Sequence, residues 1–209
     1  MIKGNKVISV AVVKRLPRYY RYLEHLEQEG VAKVSSGKLA ELLGVTASQV
    51  RQDFCNFGGF GQHGYGYDVS NLKKNLAEIL GLNRKYDMII VGAGNIGRAL
   101  AGYRNFAGEG FIVRALFDIE VRDKEIGGIP VYNMEKLPDY IKENGCDIAV
   151  IATQKGVAAD IADRLVALGV KSIWNFAPID LDLPDDVSVE NIAMSESLYV
   201  LSYRMKNKQ

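Results

Sequence analysis

Gly92, Gly94 and Gly97 have the spacing of a dinucleotide-binding loop. An apolar run, Met88 to Val91, precedes them, and a helix-like segment follows. The first glycine of such a motif makes a tight turn, and the second lets the backbone approach a pyrophosphate. The third lets the helix pack closely on the strand. Free N–H groups at the start of that helix, near Asn95, would bind the negatively charged phosphates.

A carboxylate follows this motif at the distance at which NAD(H) sites bind the adenine ribose. A second apolar run, Phe111 to Phe117, ends at Asp118, which lies 21 residues after Gly97. Its carboxylate can accept hydrogen bonds from both ribose hydroxyls and would repel the 2′-phosphate of NADP(H). We therefore predict an NAD(H) site built from the loop, from Asp118 and from the ends of later strands. The predicted cofactor-binding residues are Gly92, Ala93, Gly94, Asn95, Ile96, Gly97, Asp118, Thr153, Asn175, Phe176 and Met194.

The residues before this motif carry the opposite net charge from those that follow. From Met1 to Lys85 there are 13 Lys and Arg against 7 Asp and Glu, which gives a net charge of +6. From Tyr86 to Gln209 there are 13 against 18, which gives −5. The total of +1 therefore conceals a basic module joined to an acidic one. Such asymmetry favours a polyanionic partner for the basic half.

The basic module has the pattern of a helix-turn-helix. Apolar residues from Leu16 to Leu26 recur at helical spacing, with Pro17 in the expected first turn and Gly30 at the end. A second helix, Ser36 to Leu43, is predicted to begin at one of two adjacent serines and to end at Gly44. Two short helices joined by a glycine-containing turn are typical of this motif.

A third helix and a glycine-rich segment complete the module. Thr46 and Gln49 form a capping-box pattern for a helix that runs to about Phe57. The segment 58–68 interleaves glycines with aromatic residues and predicts a β-hairpin wing, and 69–80 predicts a fourth helix. Polar and cationic side chains near the start of the third helix suit base edges in a major groove. The predicted DNA-binding residues are Arg15, Arg18, Thr46, Ser48, Gln49, Arg51, Gln52, Gly61, His63 and Tyr65.

After residue 85, apolar runs alternate with helix-like segments, which is typical of a doubly wound parallel sheet. The predicted strands are 88–91, 111–117, 148–152 and 172–176, and the predicted helices are 96–106, 136–144 and 157–168. A further helix, 194–205, carries an apolar stripe that would pack on its own core or on a second subunit. The fold class is therefore α/β, with a winged helix-turn-helix domain at 1–84, a Rossmann-like domain at 85–190 and a C-terminal helix at 191–209.

Composition narrows the class of protein. No apolar run approaches the roughly 18–20 residues that span a bilayer. No cleavage site follows the short apolar stretch near the N-terminus, so we expect a cytoplasmic protein. Cys55 and Cys146 are too few for a disulfide framework and lack metal-ligand spacing. We expect both to be at least half-buried, and we expect no bound metal.

The positions of the histidines argue against catalysis. His25 and His63 both lie in the basic module, so the sheet domain has no imidazole for the proton transfer that accompanies hydride chemistry. We therefore predict that the protein is not an enzyme. Two alternatives remain: a small NAD-dependent oxidoreductase with a fused regulatory domain, and a regulator that senses CoA or another nucleotide. Asp118 makes the second of these less favourable.

Six segments occur in order along the chain: RLPRYYRYLEHL, SSGKLAELLGVTASQVRQDF, FGGFGQHGYGY, ILGLNRKYD, VGAGNIGRAL and NFAP. Together they closely resemble the Rex family of redox-sensing transcriptional repressors over nearly the whole chain. The winged-helix segments and ILGL make the resemblance specific, more than the glycine motif does. The resemblance implies a homodimer that binds NAD(H), exchanges its C-terminal helices and binds a palindromic operator. It also implies that NADH releases the repressor, whereas NAD⁺ permits DNA binding.

Two residues of the predicted DNA surface depart from the family's usual pattern. Gln52 stands where the family usually has lysine, and His63 where the wing usually has arginine. Each departure removes a positive charge, which bears on base preference or affinity rather than on the DNA-binding role.

A third departure concerns the interdomain switch. The family couples an arginine of the first helix and a tyrosine of the nucleotide domain to an aspartate before the tail helix of the other subunit. Arg21 and Tyr103 match, but Ala193 stands where that aspartate is expected. The chain would then couple its domains differently, through Glu190 or Glu196.

Overall fold

The structure is a computed structural model that describes residues 8–60 and 66–207. The chain separates into two compact units, Met1–Arg84 and Lys85–Gln209. The elements of the first unit are, in chain order, α1 (Val10–Gln28), β1 (Lys33–Val34), α2 (Ser36–Leu43), α3 (Ala47–Cys55), β2 (Tyr67–Asp68) and α4 (Val69–Ile79).

Three of the first unit's helices begin at side-chain caps. Ser35 accepts a hydrogen bond from the backbone N–H of Lys38, Thr46 accepts one from Gln49, and Asp68 accepts one from Asn71. Each cap satisfies a donor that the first helical turn leaves without a partner. The helix-turn-helix predicted from the cap residues and from Gly44 is therefore confirmed.

The first helix is longer than predicted. It begins at Val10, so Pro17 lies in its interior rather than in its first turn. Val12 and Leu16 are both buried and lie on the same face, so packing extends the helix toward the N-terminus. Pro17 is exposed, and water can therefore satisfy the carbonyl that its missing N–H leaves free.

The end of the glycine-rich segment that the structure describes pairs with a strand earlier in the chain. Its described strand, β2, pairs antiparallel with β1, which precedes α2. Gly66 has φ +73°, and a Cβ there would lie 2.8 Å from the carbonyl oxygen of Val34, so only glycine allows this approach. The predicted DNA contacts Gly61, His63 and Tyr65 lie outside the described residues.

The elements of the second unit alternate between strand and helix. They are β3 (Tyr86–Val91), α5 (Asn95–Ala101), α6 (Asn105–Gly108), β4 (Phe111–Asp118), β5 (Glu125–Ile126), β6 (Ile129–Asn133), a 3-10 turn (Met134–Lys136), α7 (Leu137–Asn144), β7 (Ile148–Ile151), α8 (Lys155–Ala167), β8 (Ser172–Asn175), β9 (Ser188–Asn191) and α9 (Met194–Lys206).

Over the described residues, the strands form one sheet in the order β5-β6-β4-β3-β7-β8-β9. All neighbours are parallel except β5 and β6. Leu137, Ala158 and Leu165 pack on one face of the sheet, while Leu100 and Ala101 of α5 pack on the other. The sheet is thus covered on both faces, and the predicted doubly wound fold is confirmed.

Two parts of this unit differ from the prediction. The predicted helix 96–106 is broken after Ala101, and α6 begins only at Asn105. The sheet also has strands at each edge that were not predicted, the β5–β6 hairpin at one edge and β9 at the other. Each added strand has five residues or fewer, too short for a clear alternation of apolar residues.

The last helix, α9, buries none of its residues. Seven large side chains along it are 51% to 70% exposed: Met194, Leu198, Tyr199, Val200, Leu201, Tyr203 and Met205. Of the two predicted possibilities, packing on its own core is therefore not observed. Among the described residues there is no helix with the length and apolarity to cross a membrane.

Candidate functional site

The three loop glycines differ in the space around them. Gly92 has φ +106°, and a Cβ there would lie 2.5 Å from the carbonyl oxygen of Ala152. A Cβ on Gly97 would overlap the carbonyl oxygen of Gly92, whereas a Cβ on Gly94 would have no heavy atom within 4 Å. Gly92 therefore makes the turn, Gly97 allows helix and strand to pack closely, and Gly94 leaves an open approach to the backbone. These are the three conditions for binding a pyrophosphate at this loop.

Asp118 lies directly beside this loop. One carboxylate oxygen accepts a hydrogen bond from the N–H of Ala93 at 2.6 Å, and the other accepts one from the N–H of Glu120 at 3.0 Å. The side chain is half-buried at the end of β4. The two elements that the sequence predicted to meet, the glycine loop and the acidic strand end, are thus brought together.

The cleft next to Asp118 has a volume of about 230 Å³, and its lining includes charged residues that no sequence motif indicated. Arg98 pairs with Asp123, and Arg122 pairs with Glu120 at 2.8 Å. The hairpin of β5 and β6 provides the far wall. Its tight turn, Gly127–Gly128, has positive φ at both residues, and a Gly-Gly pair between apolar residues is a hairpin signal that could have been recognised.

On the other side of the loop, Thr153 follows β7. Its hydroxyl oxygen is buried and has no hydrogen-bond partner among the described residues. A buried polar atom without a partner is costly, and a bound polar ligand would satisfy it. Thr153 also contacts the loop, since a Cβ on Gly92 would lie 3.0 Å from its methyl carbon. This hydroxyl and the open approach at Gly94 both fit a dinucleotide.

The side chain of Asn175, a predicted cofactor contact, forms hydrogen bonds within the protein. The residue is fully buried, its amide nitrogen donates to Ile179 and Asn191, and its oxygen accepts from the N–H of Ala177. It thereby joins β9 to the loop after β8. Phe176, the next residue, is half-buried and remains available to a ligand. Met194 is 62% exposed on α9.

In the first unit, α3 has one buried face and one exposed face. Val50, Asp53 and Phe54 are buried, while Ser48, Arg51 and Gln52 are exposed at helical spacing. Cys55 continues the exposed face, contrary to the expectation that it is at least half-buried. The guanidinium of Arg51 donates to the hydroxyls of Ser48 at 3.0 Å and Ser36 at 3.2 Å. It is therefore held above the helix surface.

Asp53 connects α3 to α1. Its carboxylate accepts two hydrogen bonds from Arg15 at 2.7 Å, one from Tyr19 at 2.8 Å and one from Gln49 at 2.9 Å. Burial alone would raise the pKa of Asp53, but these hydrogen bonds outweigh it and leave the pKa lowered. Burial and the bond to Asp53 both raise the pKa of the Tyr19 hydroxyl. The orientation of α3 is thus fixed by a buried polar network.

This network changes the interpretation of two predicted DNA contacts. Arg15 donates to Asp53 through both Nε and Nη2, and its side chain is 21% exposed. Gln49 is likewise engaged with Asp53. The structure therefore gives Arg15 and Gln49 a role in positioning α3, and their contact with DNA stays a prediction. Arg18 and Thr46 are exposed; Arg18 donates to the carbonyl of Leu43, at the end of α2.

We expect Asp53→Asn to destabilise the first unit strongly, because it leaves Arg15 without its counter-charge. Removing one partner of a buried ion pair costs about 3–5 kcal/mol, and partial exposure of Arg15 favours the lower end. The pKa of Asp53 lies below its ordinary value of 3.8 when folded. The stabilisation is therefore present above that pH and is lost as the pH falls below it. Urea unfolding at several pH values measures both effects.

Asp68→Asn is the matched control, because asparagine caps helices as well as aspartate does. It should leave the free energy of unfolding nearly unchanged. Equal stability of the two variants would contradict a structural role for the Asp53 network.

The two residues predicted for the interdomain switch are both on the surface. Arg21 is exposed on α1, and Tyr103, which follows α5, is 49% exposed. Ala193 precedes α9 and provides no side-chain cap. Within residues 8–60 and 66–207, no cluster of three or more His, Cys, Asp or Glu could hold a metal ion.

Each of the two units matches a known protein family. Residues 7–55 match a family described as "Putative DNA-binding protein N-terminus", and residues 83–179 match one described as "CoA binding domain". The chain is 50% identical over 211 residues to a protein of Thermoanaerobacter pseudethanolicus named redox-sensing transcriptional repressor Rex. That match covers 100% of this chain and 94% of the relative.

Solved structures of a protein called RSP superpose on nearly the whole chain. The crystal structure of RSP with beta-NAD+ and operator DNA has a TM-score of 0.91 at 49% identity, covering 98% of this chain and 95% of that one. The crystal structure of RSP with beta-NADH has a TM-score of 0.90 at 47% identity, covering 98% and 97%.

Proposed function

This chain belongs to the Rex family of redox-sensing transcriptional repressors, and we propose that it represses transcription according to the ratio of NADH to NAD⁺. In this proposal, the first unit binds duplex operator DNA and the second binds NAD(H). Because an operator is part of the chromosome, we also propose that the protein works in the cytoplasm.

One observation carries the cofactor part of this proposal. The glycine loop leaves open space at Gly94, while Asp118 lies beside it and Thr153 presents a buried hydroxyl without a partner among the described residues. The phosphates would contact Gly94 and the N–H groups of Asn95 and Ile96, and the ribose hydroxyls would contact Asp118. NAD(H) supplies a nicotinamide ring that exists in a neutral reduced form and a cationic oxidised form.

Two alternatives are less well supported. The relatives are named repressors, not oxidoreductases. The description of residues 83–179 as a CoA-binding domain fits the fold, but one fold hosts many ligands, so the ligand must be argued from the site. Asp118 favours a ribose with two free hydroxyls, and the RSP structures contain beta-NAD+ and beta-NADH.

We propose that α9 forms the dimer by exchange between two subunits. Contiguous exposed apolar surface of this extent marks an interaction site, and α9 packs into no core of its own chain. A dimer presents two copies of α3 to the two half-sites of a palindromic operator. Met194 and Leu198 of the partner's helix would then lie near Phe176 and the nicotinamide.

This arrangement gives the redox switch a physical basis. An apolar pocket disfavours a desolvated cation, so a pocket formed by Phe176, Met194 and Leu198 should prefer the neutral reduced ring. A ligand shifts a conformational equilibrium only through its different affinities for the two states. Burial of the reduced ring would draw α9 inward and alter the spacing of the two α3 helices. Arg21 and Tyr103 are proposed to transmit this change between domains.

The experiment that tests the proposed function begins by selecting genomic DNA fragments with the purified protein. Mobility shifts on the selected sites are then repeated with NADH and with NAD⁺. We expect sequence-selective binding that NADH weakens and NAD⁺ does not. Absence of selected sites, or equal effects of the two nucleotides, would contradict the proposal.

We expect Arg51→Ala to weaken operator binding by about 1–3 kcal/mol, the value of a bidentate contact to guanine. The serine hydroxyls that hold Arg51 orient its guanidinium before DNA arrives, so truncation removes an ordered contact. Lys38→Ala is the control, because it removes the same charge from an exposed site on α2. Equal loss in the two variants, measured by fluorescence anisotropy, would reduce Arg51 to a general electrostatic role.

We expect Asp118→Ala to weaken NADH binding by about 1.5–3 kcal/mol, the value of hydrogen bonds to a charged group. The variant should also bind NADPH more nearly as well as NADH, because Arg122 remains in the same cleft. Asp123→Ala removes the same charge from that cleft and should keep the preference for NADH. Calorimetric titration of each protein with NADH and with NADPH measures these affinities. Equal affinity of the wild-type protein for the two nucleotides would rule out a role of Asp118 in selecting NAD(H).

A further inference from the structure

Four aromatic side chains form a continuous row across one face of the second unit. The ring centroids of Phe176 and Trp174 are 4.6 Å apart, those of Trp174 and Phe106 are 5.8 Å apart, and those of Phe106 and Tyr103 are 4.7 Å apart. All three pairs meet edge to face, at interplanar angles of 63° to 71°. Such pairs have a preferred geometry, so the orientation of each ring constrains the next.

The row begins at the end of β8, on an apolar cluster that also includes a residue of the glycine loop. Phe176 and Trp174 pack on the same apolar cluster as Ala93 of the glycine loop and Ala152 at the end of β7. Ala152 is also the residue whose carbonyl oxygen crowds Gly92. A nicotinamide at the strand ends would therefore contact the first ring of the row.

The row ends at the surface. Tyr103 is 49% exposed, and its hydroxyl accepts a hydrogen bond from the side chain of Asn105 at 3.4 Å. Tyr103 also follows α5, which begins directly after Gly94 of the glycine loop. It is thus connected to the cleft in two ways, through the backbone of α5 and through the row of rings.

The burial of the row is unlike that of the core. Phe176, Trp174 and Phe106 are only half-buried, whereas the central strand residues Ile90 and Leu116 of the same cluster are fully buried. Half-buried rings lie where a ligand or a partner can still displace them, while close-packed core side chains cannot shift without strain.

We propose that Trp174 and Phe106 are positioning residues that transmit occupancy of the nucleotide cleft from Phe176 to Tyr103. The inference rests on the proposed function, since it assigns the path by which bound NADH weakens operator binding. Coupling between two ligands is reciprocal, so operator DNA must weaken NADH binding by the same factor as NADH weakens operator binding. That factor is the quantity that Trp174 and Phe106 should control.

The test measures NADH affinity with and without saturating operator for the wild-type protein and for Phe106→Leu. We expect the affinity without DNA to be unchanged, because Phe106 does not contact the cleft. The coupling factor is the ratio of the NADH dissociation constants with and without operator. It should fall by about 2- to 30-fold, the effect of substitutions along a coupling network. Phe111→Leu is the matched control: Phe111 is also half-buried but stacks on Tyr86, at the start of β4 and away from the row.

A second pair of variants distinguishes transmission from a general loss of packing. Trp174→Phe keeps an aromatic edge and should retain most of the coupling, whereas Trp174→Leu should lose it. An unchanged coupling factor in both Phe106→Leu and Trp174→Leu would overturn the inference. A wild-type factor of one would instead contradict the proposed function itself, so the two failures are distinguishable.

Discussion

Leu198→Asp is expected to convert the protein from a dimer into a monomer and to abolish specific operator binding. A monomer presents one recognition helix, so the affinity for a full operator should fall on the order of a thousandfold, the lower end of the difference between specific and non-specific binding. Analytical ultracentrifugation measures the mass, and fluorescence anisotropy measures the affinity.

The reason lies in the unusual exposure of α9. Leu198 belongs to a stripe with Met194, Leu201 and Met205, all more than half exposed in the single chain. Placing an unpaired carboxylate in an apolar interface is costly, whereas the same carboxylate on an exposed helix costs little. The substitution should therefore act on the dimer and leave the fold of the second unit intact.

Ser195→Asp is the matched control, because Ser195 lies on α9 off this stripe. A carboxylate in the first turn of a helix is mildly favourable, so the variant should remain dimeric. If Leu198→Asp stayed dimeric with wild-type operator affinity, α9 would have no part in the dimer interface. If it unfolded, as judged by circular dichroism, the helix would belong to the core after all.

The local features of the fold could be predicted because they depend on residues close in sequence. Ser35, Thr46 and Asp68 cap the helices that they precede, and Gly92, Gly94 and Gly97 meet the steric conditions that their spacing implies. Asp118 was placed beside the loop from a sequence distance alone, since a strand of that length ends at the same edge of a parallel sheet.

What could not be predicted depends on contacts between distant residues. Arg15 and Gln49 have the side chains of DNA contacts, but Asp53 engages both, and residues 15 and 53 meet only through packing of α1 on α3. Asn175 likewise has the type and position of a cofactor-binding residue at a strand end. Its side chain instead bonds Ile179, in the loop that follows, and Asn191, on the unpredicted strand β9. A polar residue's partner is decided by the tertiary structure, which its own neighbours in sequence do not reveal.

Two other expectations failed because the sequence did not reveal which face of a helix packs on the core. Pro17 was expected to mark the start of a helix, but burial of Val12 outweighs the lost hydrogen bond. Cys55 was expected to be at least half-buried, but it continues the outward face of α3. In each case the helix face that packs on the core decided the outcome over the preference of the single residue.

Two of the three glycines of the nucleotide loop, Gly94 and Gly97, are expected to respond differently to substitution by alanine. In Gly97→Ala, the new methyl group would overlap the carbonyl oxygen of Gly92, so α5 must move away from the loop. Overpacking of this kind costs about 1–3 kcal/mol. We expect both a lower melting temperature and loss of measurable NADH binding.

Gly94→Ala should instead separate binding from stability. Gly94 has φ −76°, which any residue adopts, and a Cβ there has no neighbour within 4 Å. The melting temperature should therefore stay at the wild-type value, while the methyl group stands where the pyrophosphate approaches the backbone and weakens NADH binding. Gly37→Ala, in α2, is the control for the substitution itself, since its Cβ would make only an ordinary contact at 3.6 Å. Thermal unfolding and calorimetric titration of all three variants complete the test. Wild-type NADH affinity in Gly94→Ala would mean that the phosphates do not lie against this loop, because an open position matters to a ligand only if the ligand occupies it.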